Sequence, residues 1–221
     1  MKQKCSIIFE FITTVLGFVF FVAVAVTITL HFRPLYYYDI KALHIAEQTG
    51  LSEQLIRANY DVLIDYNSIL GSDVLQFPDF FMSKSGKIHF MEVKKIFLMI
   101  KWLGIVSFIP FLCFGRYLMS KQSYRFLKWL SILGIGFPVV FGILIGVNWE
   151  KMFVQFHQLL FQNDYWLFDP MTDPIITILP DEFFYQCAGL IISIFILQSC
   201  IAGILYRNYR IQRKKENYLQ Y

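Results

Sequence analysis

Charge is what this sequence has least of. Only 16% of its 221 residues are charged, against 57% hydrophobic and 19% aromatic, where a soluble domain carries about 25% charged residues. That deficit excludes an ordinary soluble domain and points to a membrane protein. Cysteine is scarce as well. Cys5, Cys113, Cys187 and Cys200 form no CxxC and no regular spacing. Neither a disulfide framework nor a structural zinc site is indicated, and small apolar fillers are the plain reading. There is no GxSxG or other serine-nucleophile signature, no internal repeat, and no pair of matching broken halves such as transporters carry. No low-complexity linker sets off a second domain, so residues 1–221 read as a single membrane domain.

What the sequence does have is long apolar runs. A membrane-spanning helix needs about 20 mostly apolar residues in a row. Phe11–Leu30, Trp129–Trp149 and Phe183–Tyr206 are uncharged, and Val93–Gly115 is weaker because Lys94, Lys95 and Lys101 sit in its first half. Taken as helices, the four spans cover about 9–31, 93–115, 127–148 and 183–206. The predicted fold is an all-α four-helix membrane bundle whose loops, 32–92 and 149–182, form a cap. The first span is too long for a signal-peptide core and is read as a retained anchor.

Orientation follows from basic residues in the short flanks. Lys2 and Lys4 precede the first span; Arg116, Lys121, Arg125 and Lys128 lie between the second and third; Arg207, Arg210, Arg213, Lys214 and Lys215 follow the fourth. The two long loops are acid-rich: 33–92 holds five bases and eight acids, and 149–183 holds Lys151 against six acids. With four spans, all basic segments fall on one side. Both termini are then cytoplasmic, and both long loops are extracellular. Within the spans, Gly142 and Gly146 form a GxxxG pair read as close helix packing, with Gly134 and Gly136 as further small positions. Pro110 and Pro138 are read as kinks.

The first long loop should fold. "DIKALHIAEQTG" predicts a short helix with Asp39 near its start and Gly50 as its stop, and "LSEQLIRANYDVLIDYNSIL" predicts a second, with Leu51, Leu55, Val62 and Ile69 on its apolar face. The stretch after it is irregular and aromatic. Tyr36, Tyr37, Tyr38, Phe77, Phe80 and Phe81 suit a belt at headgroup level.

Only four histidines exist. His31 ends the first span and His44 lies on a cap helix; both read as polar bystanders. His89, in "GKIHFMEVKKIF", and His157, in "VQFHQLLFQNDYW", are different. They sit at the ends of adjacent antiparallel spans, each among aromatics, and should meet near the membrane surface, where an imidazole titrates in the working range. Glu92, three residues after His89, shares its helical face and is expected to orient that ring. Lys94 and Lys101, seven apart, read either as snorkelling cations or as part of a polar groove that holds a substrate ester or carboxylate. Two histidines without further ligands make no zinc site.

Two blocks, "HFMEVKKIF" (89–97) and "FHQLLFQNDYWLFDPMTDPIITILPDEFF" (156–184), together with the four spans, resemble the lipoprotein intramolecular transacylases of Gram-positive bacteria. The resemblance implies an acyltransferase that takes a diacylglyceryl lipoprotein with a free N-terminal cysteine. It would move an acyl chain from the glyceryl sn-2 oxygen to the α-amino group, giving a lyso-form lipoprotein. His89 and His157 match the family's two histidines, under an extracellular cap, with no metal or soluble cofactor. Asn163, Asp164, Asp169 and Asp173 are expected to fix the second block's backbone. Phe77, Phe80, Phe81, Tyr165 and Trp166 are expected to enclose the substrate. The expected partners are the lipoprotein and membrane lipids, with no nucleic acid, and the chain is expected to be a monomer. A small transporter or channel subunit, or a non-enzymatic scaffold or sensor, is the competing reading. Nearly charge-free span interiors disfavour the transporter.

Overall fold

The computed structural model describes residues 2–218, with side chains described for 7–213 and 215. Cys5, Lys2, Lys4 and Lys214, used above, lie outside the described side chains. Among the described residues the fold is all-helical: α1 (Lys2–His31), α2 (Arg33–Ala42), α3 (Ile45–Thr49), α4 (Glu53–Tyr66), α5 (Lys84–Ser120), α6 (Arg125–Val147), α7 (Trp149–Leu160), a 3-10 turn (Pro174–Ile178) and α8 (Asp181–Tyr218). Four of the helices are long and apolar enough to cross a membrane, over Ile7–His31, Lys84–Ser120, Arg125–Val147 and Asp181–Arg213.

The chain sorts into two compact units. One comprises Met1–Ala25, Trp102–Ile143 and Leu190–Tyr221; the other comprises Val26–Lys101 and Leu144–Gly189. In the first, Leu118, Phe126, Leu127, Leu130 and Ala202 form the buried core, with Phe9, Phe18, Phe21 and Phe111 packed on it. Small residues set the closest helix approaches, but not at the GxxxG pair. A methyl group at Gly134 would collide with Ser199, and one at Gly203 would meet Ser131 at 2.6 Å, whereas Gly146 faces open space and Gly142 meets only the end of Ile192. The spacing of two glycines did not reveal which one faces a neighbour. Glu10, buried in the first span, accepts from the Ser123 hydroxyl and lies 3.7 Å from the Arg125 guanidinium.

The second unit carries α2, α3 and α4 and a core of Tyr36, Ile40, Ile56, Tyr60, Ile64, Ile175, Ile178 and Phe183. Its first cap helix starts earlier than the sequence reading had it. Pro34 sits in the opening turn of α2, where a missing N–H is no loss. The helix then breaks at His44, which adopts left-handed φ 53°, before α3 ends on Gly50 at φ 69°. Asp39 is therefore mid-helix and fully buried, and burial pushes its carboxyl above the usual range while the Gln186 side chain opposes the shift. In α4, capped by Ser52, the buried face is Ile56, Asn59, Tyr60, Leu63 and Ile64. Leu55 and Val62 are half-buried and Ile69 is exposed. Asn59 is drawn inside by bonds to the Leu55 carbonyl and Asp79, which apolar periodicity does not register.

The aromatic belt is also corrected in part. Tyr36 is fully buried, stacked 3.7 Å from Tyr60, and its hydroxyl donates to the Ile178 carbonyl at 2.6 Å. Phe77 is likewise core. Only Tyr38 and Phe81 of that set are strongly exposed.

Candidate active site

α5 and α7 each deliver one histidine. Ser83 caps α5: its hydroxyl accepts from Gly86 N at 2.9 Å, and its carbonyl accepts from Lys87 N. Its own N–H is held from across the chain, since Asp173 Oδ1 accepts from Ser83 N at 2.8 Å. This does the work of the acidic residue in a capping box, supplied here from a distant segment. His89 follows within the second turn. α7 begins after Asn148, whose side chain accepts from Lys151 N at 2.9 Å, and carries His157 in its last turn.

The two imidazoles stand 6.2 Å apart between ring centroids, with their planes 33° from each other. His89 is 5% exposed, with Phe161 at 4.7 Å and Phe168 at 5.4 Å, both edge-on. His157 stacks on Trp166 at 4.8 Å and meets Phe153 at 4.2 Å. His157 Nδ1 lies 2.8 Å from the Phe153 carbonyl. A carbonyl only accepts, so Nδ1 carries the proton and the Nε2 lone pair is free. Burial pulls the His157 pKa below the ordinary imidazole value of 6.5, with the Phe153 carbonyl opposing. His89 Nδ1 is buried with no hydrogen-bond partner. Orphaned buried N–H groups are rarer than under-used acceptors, so the favoured tautomer places its proton on Nε2.

The polar residues of the 161–184 segment are engaged in fixing it. Asn163 donates to both Glu92 oxygens, at 3.1 and 3.2 Å, and accepts from Tyr165 N at 3.0 Å. Glu92 thus grips the loop, and it does not orient His89 as expected. The Asp169 side chain accepts from Met171 N, and its carbonyl accepts from Thr172 N and Asp173 N. Asp173, 2% exposed, also accepts from the Thr172 hydroxyl at 2.9 Å. Asp164 contributes its carbonyl to Leu167 N.

Lys94 and Lys101 do not reach toward water. Lys94 Nζ donates to the Gly71 and Ser72 carbonyls, at 3.2 and 2.6 Å, and lies 4.4 Å from the Tyr66 ring. Lys101 Nζ donates to the Asn67 carbonyl at 2.6 Å and lies 2.9 Å from His31 Nε2. Both are buried. A compact cation with three donors suits the carbonyl-rich end of α4, and this contradicts the snorkelling reading. It also commits both ammonium groups to the 67–72 segment and not to His89 or His157. Of the aromatic set, Trp166 reaches His157 and Phe77 touches Phe90 at 5.9 Å. Phe80 packs on Phe77, whereas Phe81 and Tyr165 are exposed. Phe153, Phe161 and Phe168 line the site and were missed, although each lies within a few residues of a motif histidine or tryptophan. Among the described residues no group of three or more His, Cys, Asp and Glu is placed to hold a metal ion.

Comparison with known proteins adds to this geometry. The family model described as lipoprotein intramolecular transacylase Lit matches residues 11–184. No curated protein matches. Among solved structures, the membrane-integral lipoprotein intramolecular transacylase Lit from Bacillus cereus superposes with a TM-score of 0.94 at 35% identity, covering 96% of this chain and 99% of that one. Variants of the same protein with a histidine replaced by arginine or by alanine superpose with a TM-score of 0.88 at 34% identity. The arginine variant covers 97% of this chain and 96% of its own; the alanine variant covers 97% of each.

Proposed function

The chain belongs to the lipoprotein intramolecular transacylase family, a family of membrane-integral acyltransferases, and from that premise we propose how its own residues carry the reaction. The substrate is a diacylglyceryl lipoprotein. The α-amino nitrogen of its N-terminal cysteine attacks the sn-2 ester carbon, the bond from that carbon to the glyceryl oxygen breaks, and an amide and a free hydroxyl result.

The observation that carries this reading is the His157 tautomer set by the Phe153 carbonyl, 6.2 Å from a second buried imidazole. His157, with Nδ1 committed to the Phe153 carbonyl, offers Nε2 as the base that takes the proton from the attacking amine. The nitrogen and the departing oxygen are bonded to the same tetrahedral carbon, so the same Nε2–H then returns that proton to the glyceryl oxygen, and protons balance within one turnover. His89 keeps its proton on Nε2 and donates to the oxyanion. A ring spacing of 6.2 Å accommodates a tetrahedral carbon between the rings, its nitrogen facing one imidazole and its oxyanion the other at about 3 Å each. Ring closure passes through eight atoms, so holding both ends together supplies much of the acceleration. The surrounding aromatic rings keep water from the ester.

Basic flanks and acid-rich long loops support both termini on the cytoplasmic side and the histidines on the extracellular side.

The test uses purified protein and a synthetic diacylglyceryl lipopeptide. Intact mass does not change in an internal transfer. Fragmentation does change: the sn-2 acyl chain moves onto the N-terminal amide fragment. His89→Ala and His157→Ala should abolish that fragment. Its formation at the wild-type rate in either variant would refute the acid–base assignment.

A further inference from the structure

α7 has three faces. Trp149, Phe153 and His157 recur every four residues and turn into the protein: Trp149 meets Tyr185 at 5.4 Å, Phe153 meets Phe184 at 5.9 Å, and His157 meets Trp166 at 4.8 Å. Lys151, Gln155 and Gln158 form a second, exposed polar stripe. Met152, Phe156 and Leu159 form a third at the same helical spacing. This third stripe is apolar yet uncovered over two of its three residues: Met152 is half-buried, but Phe156 is 52% exposed and Leu159 is 83% exposed.

α7 begins with a single residue, Asn148, between it and α6, a helix long and apolar enough to span, whose last turn exposes Leu144 and Val147. Asn148, extended at φ −156° and ψ 89°, breaks the helix there and caps the next. A short amphipathic helix that starts where a span ends, with a polar stripe opposite its protein side and an exposed apolar stripe between the two, has the pattern of an interfacial helix.

We propose that α7 lies in the leaflet surface on the histidine side, with Met152, Phe156 and Leu159 among the upper acyl chains and Gln155 and Gln158 in water. Such a helix sinks its apolar face about 5–10 Å into the headgroup and acyl boundary. His157, on the adjoining face, is then held at the depth of glyceryl esters. Combined with the proposed reaction, this means the sn-2 ester meets its base where it already lies, and its acyl chains need not leave the bilayer.

The experiment places photoreactive benzoylphenylalanine singly at 155, 156, 158 and 159 of the full chain, in vesicles of phosphatidylglycerol and phosphatidylcholine. After irradiation, α7 peptides are weighed. Phospholipid adducts should form at 156 and 159 and be lost at 155 and 158. Equal adduct yields at all four positions, or cross-links from 159 to a second copy of the chain, would overturn the proposal. Because the readout is lipid contact and not turnover, a failed acyl-transfer assay with correct adducts would count against the reaction alone.

Discussion

Replacing Asp173 with alanine should loosen the site without touching either imidazole. Asp173 is 2% exposed and accepts from two donors, Ser83 N at 2.8 Å and the Thr172 hydroxyl at 2.9 Å. A hydrogen bond to a charged group is worth about 1.5–3 kcal/mol net. The Thr172 bond, on an exposed residue, sits at the low end of that range. The Ser83 bond is at the N-terminus of α5, where a carboxylate also meets the helix dipole. Together they put the loss at about 3–5 kcal/mol. Asp173→Asn keeps one acceptor for Ser83 N and should lose about half of that. The comparison variant is Asp169→Ala, whose side chain serves only its own turn, at Met171 N, with an expected loss of about 1 kcal/mol. The assay is thermal unfolding of the purified protein in micelles, followed by hydrogen exchange at Ser83 and Gly86. If Asp173→Ala is no less stable than Asp169→Ala, the anchoring argument is wrong and apolar packing around Phe168 and Ile175 holds the segment alone.

Other outcomes follow from the same geometry. Activity should fall on the acid side, because His157 must be neutral to take a proton and burial sets its pKa below 6.5. The limb should therefore lie below 6.5, and a rate-against-pH profile with its acid limb above that value would contradict the assignment. Trp166→Ala uncovers the His157 ring and should move that limb upward toward 6.5 while lowering the rate, read from the same profile. Lys94→Met leaves the Gly71 and Ser72 carbonyls without their donor, at about 1–3 kcal/mol each. Hydrogen exchange should rise across 67–74, whereas unchanged exchange with a raised KM would restore Lys94 as a substrate contact.

The four apolar runs were legible because length and lack of charge alone define a span, and the helices over 7–31, 84–120, 125–147 and 181–213 meet that criterion. The cap was legible only as "helical". Its faces depend on polar residues that bury by pairing, such as Asn59 with Asp79 and Tyr36 with the Ile178 carbonyl, and neither partner is near in sequence. Lys94 and Lys101 show the same limit: their spacing marked one helical face, but their acceptors come from 67–72, a segment with no motif. The two histidines stood out because so few exist and both sit among aromatics. The box around them did not, since Phe161 and Phe168 look like any other residue of an aromatic-rich chain.

The acid-rich 154–184 segment gains a physical account from its bonds. Asp169 and Asp173 hold backbone N–H groups, Asn163 holds Glu92, and none of the three makes a hydrogen bond to an imidazole. His157 is oriented by the Phe153 carbonyl, a neutral partner. In a serine triad, a buried carboxylate stabilises the imidazolium because a hydroxyl is a weak nucleophile that needs a strong base. An amine, once neutral, is already a good nucleophile, and its proton becomes acidic only as the bond to the ester carbon forms. A neutral carbonyl orienter fixes the tautomer without raising basicity as a carboxylate does. Its upward pull is outweighed by burial, which keeps His157 unprotonated near neutrality in a site that is otherwise aromatic. The carboxylates are better placed at a distance, where they fix the loop and leave the imidazoles uncharged. This arrangement is testable by moving a charge inward: Phe161→Glu, next to both rings, should raise the acid limb of the rate profile, because a carboxylate favours imidazolium. An unchanged limb in a folded variant would mean that the titrating group is not one of these two histidines.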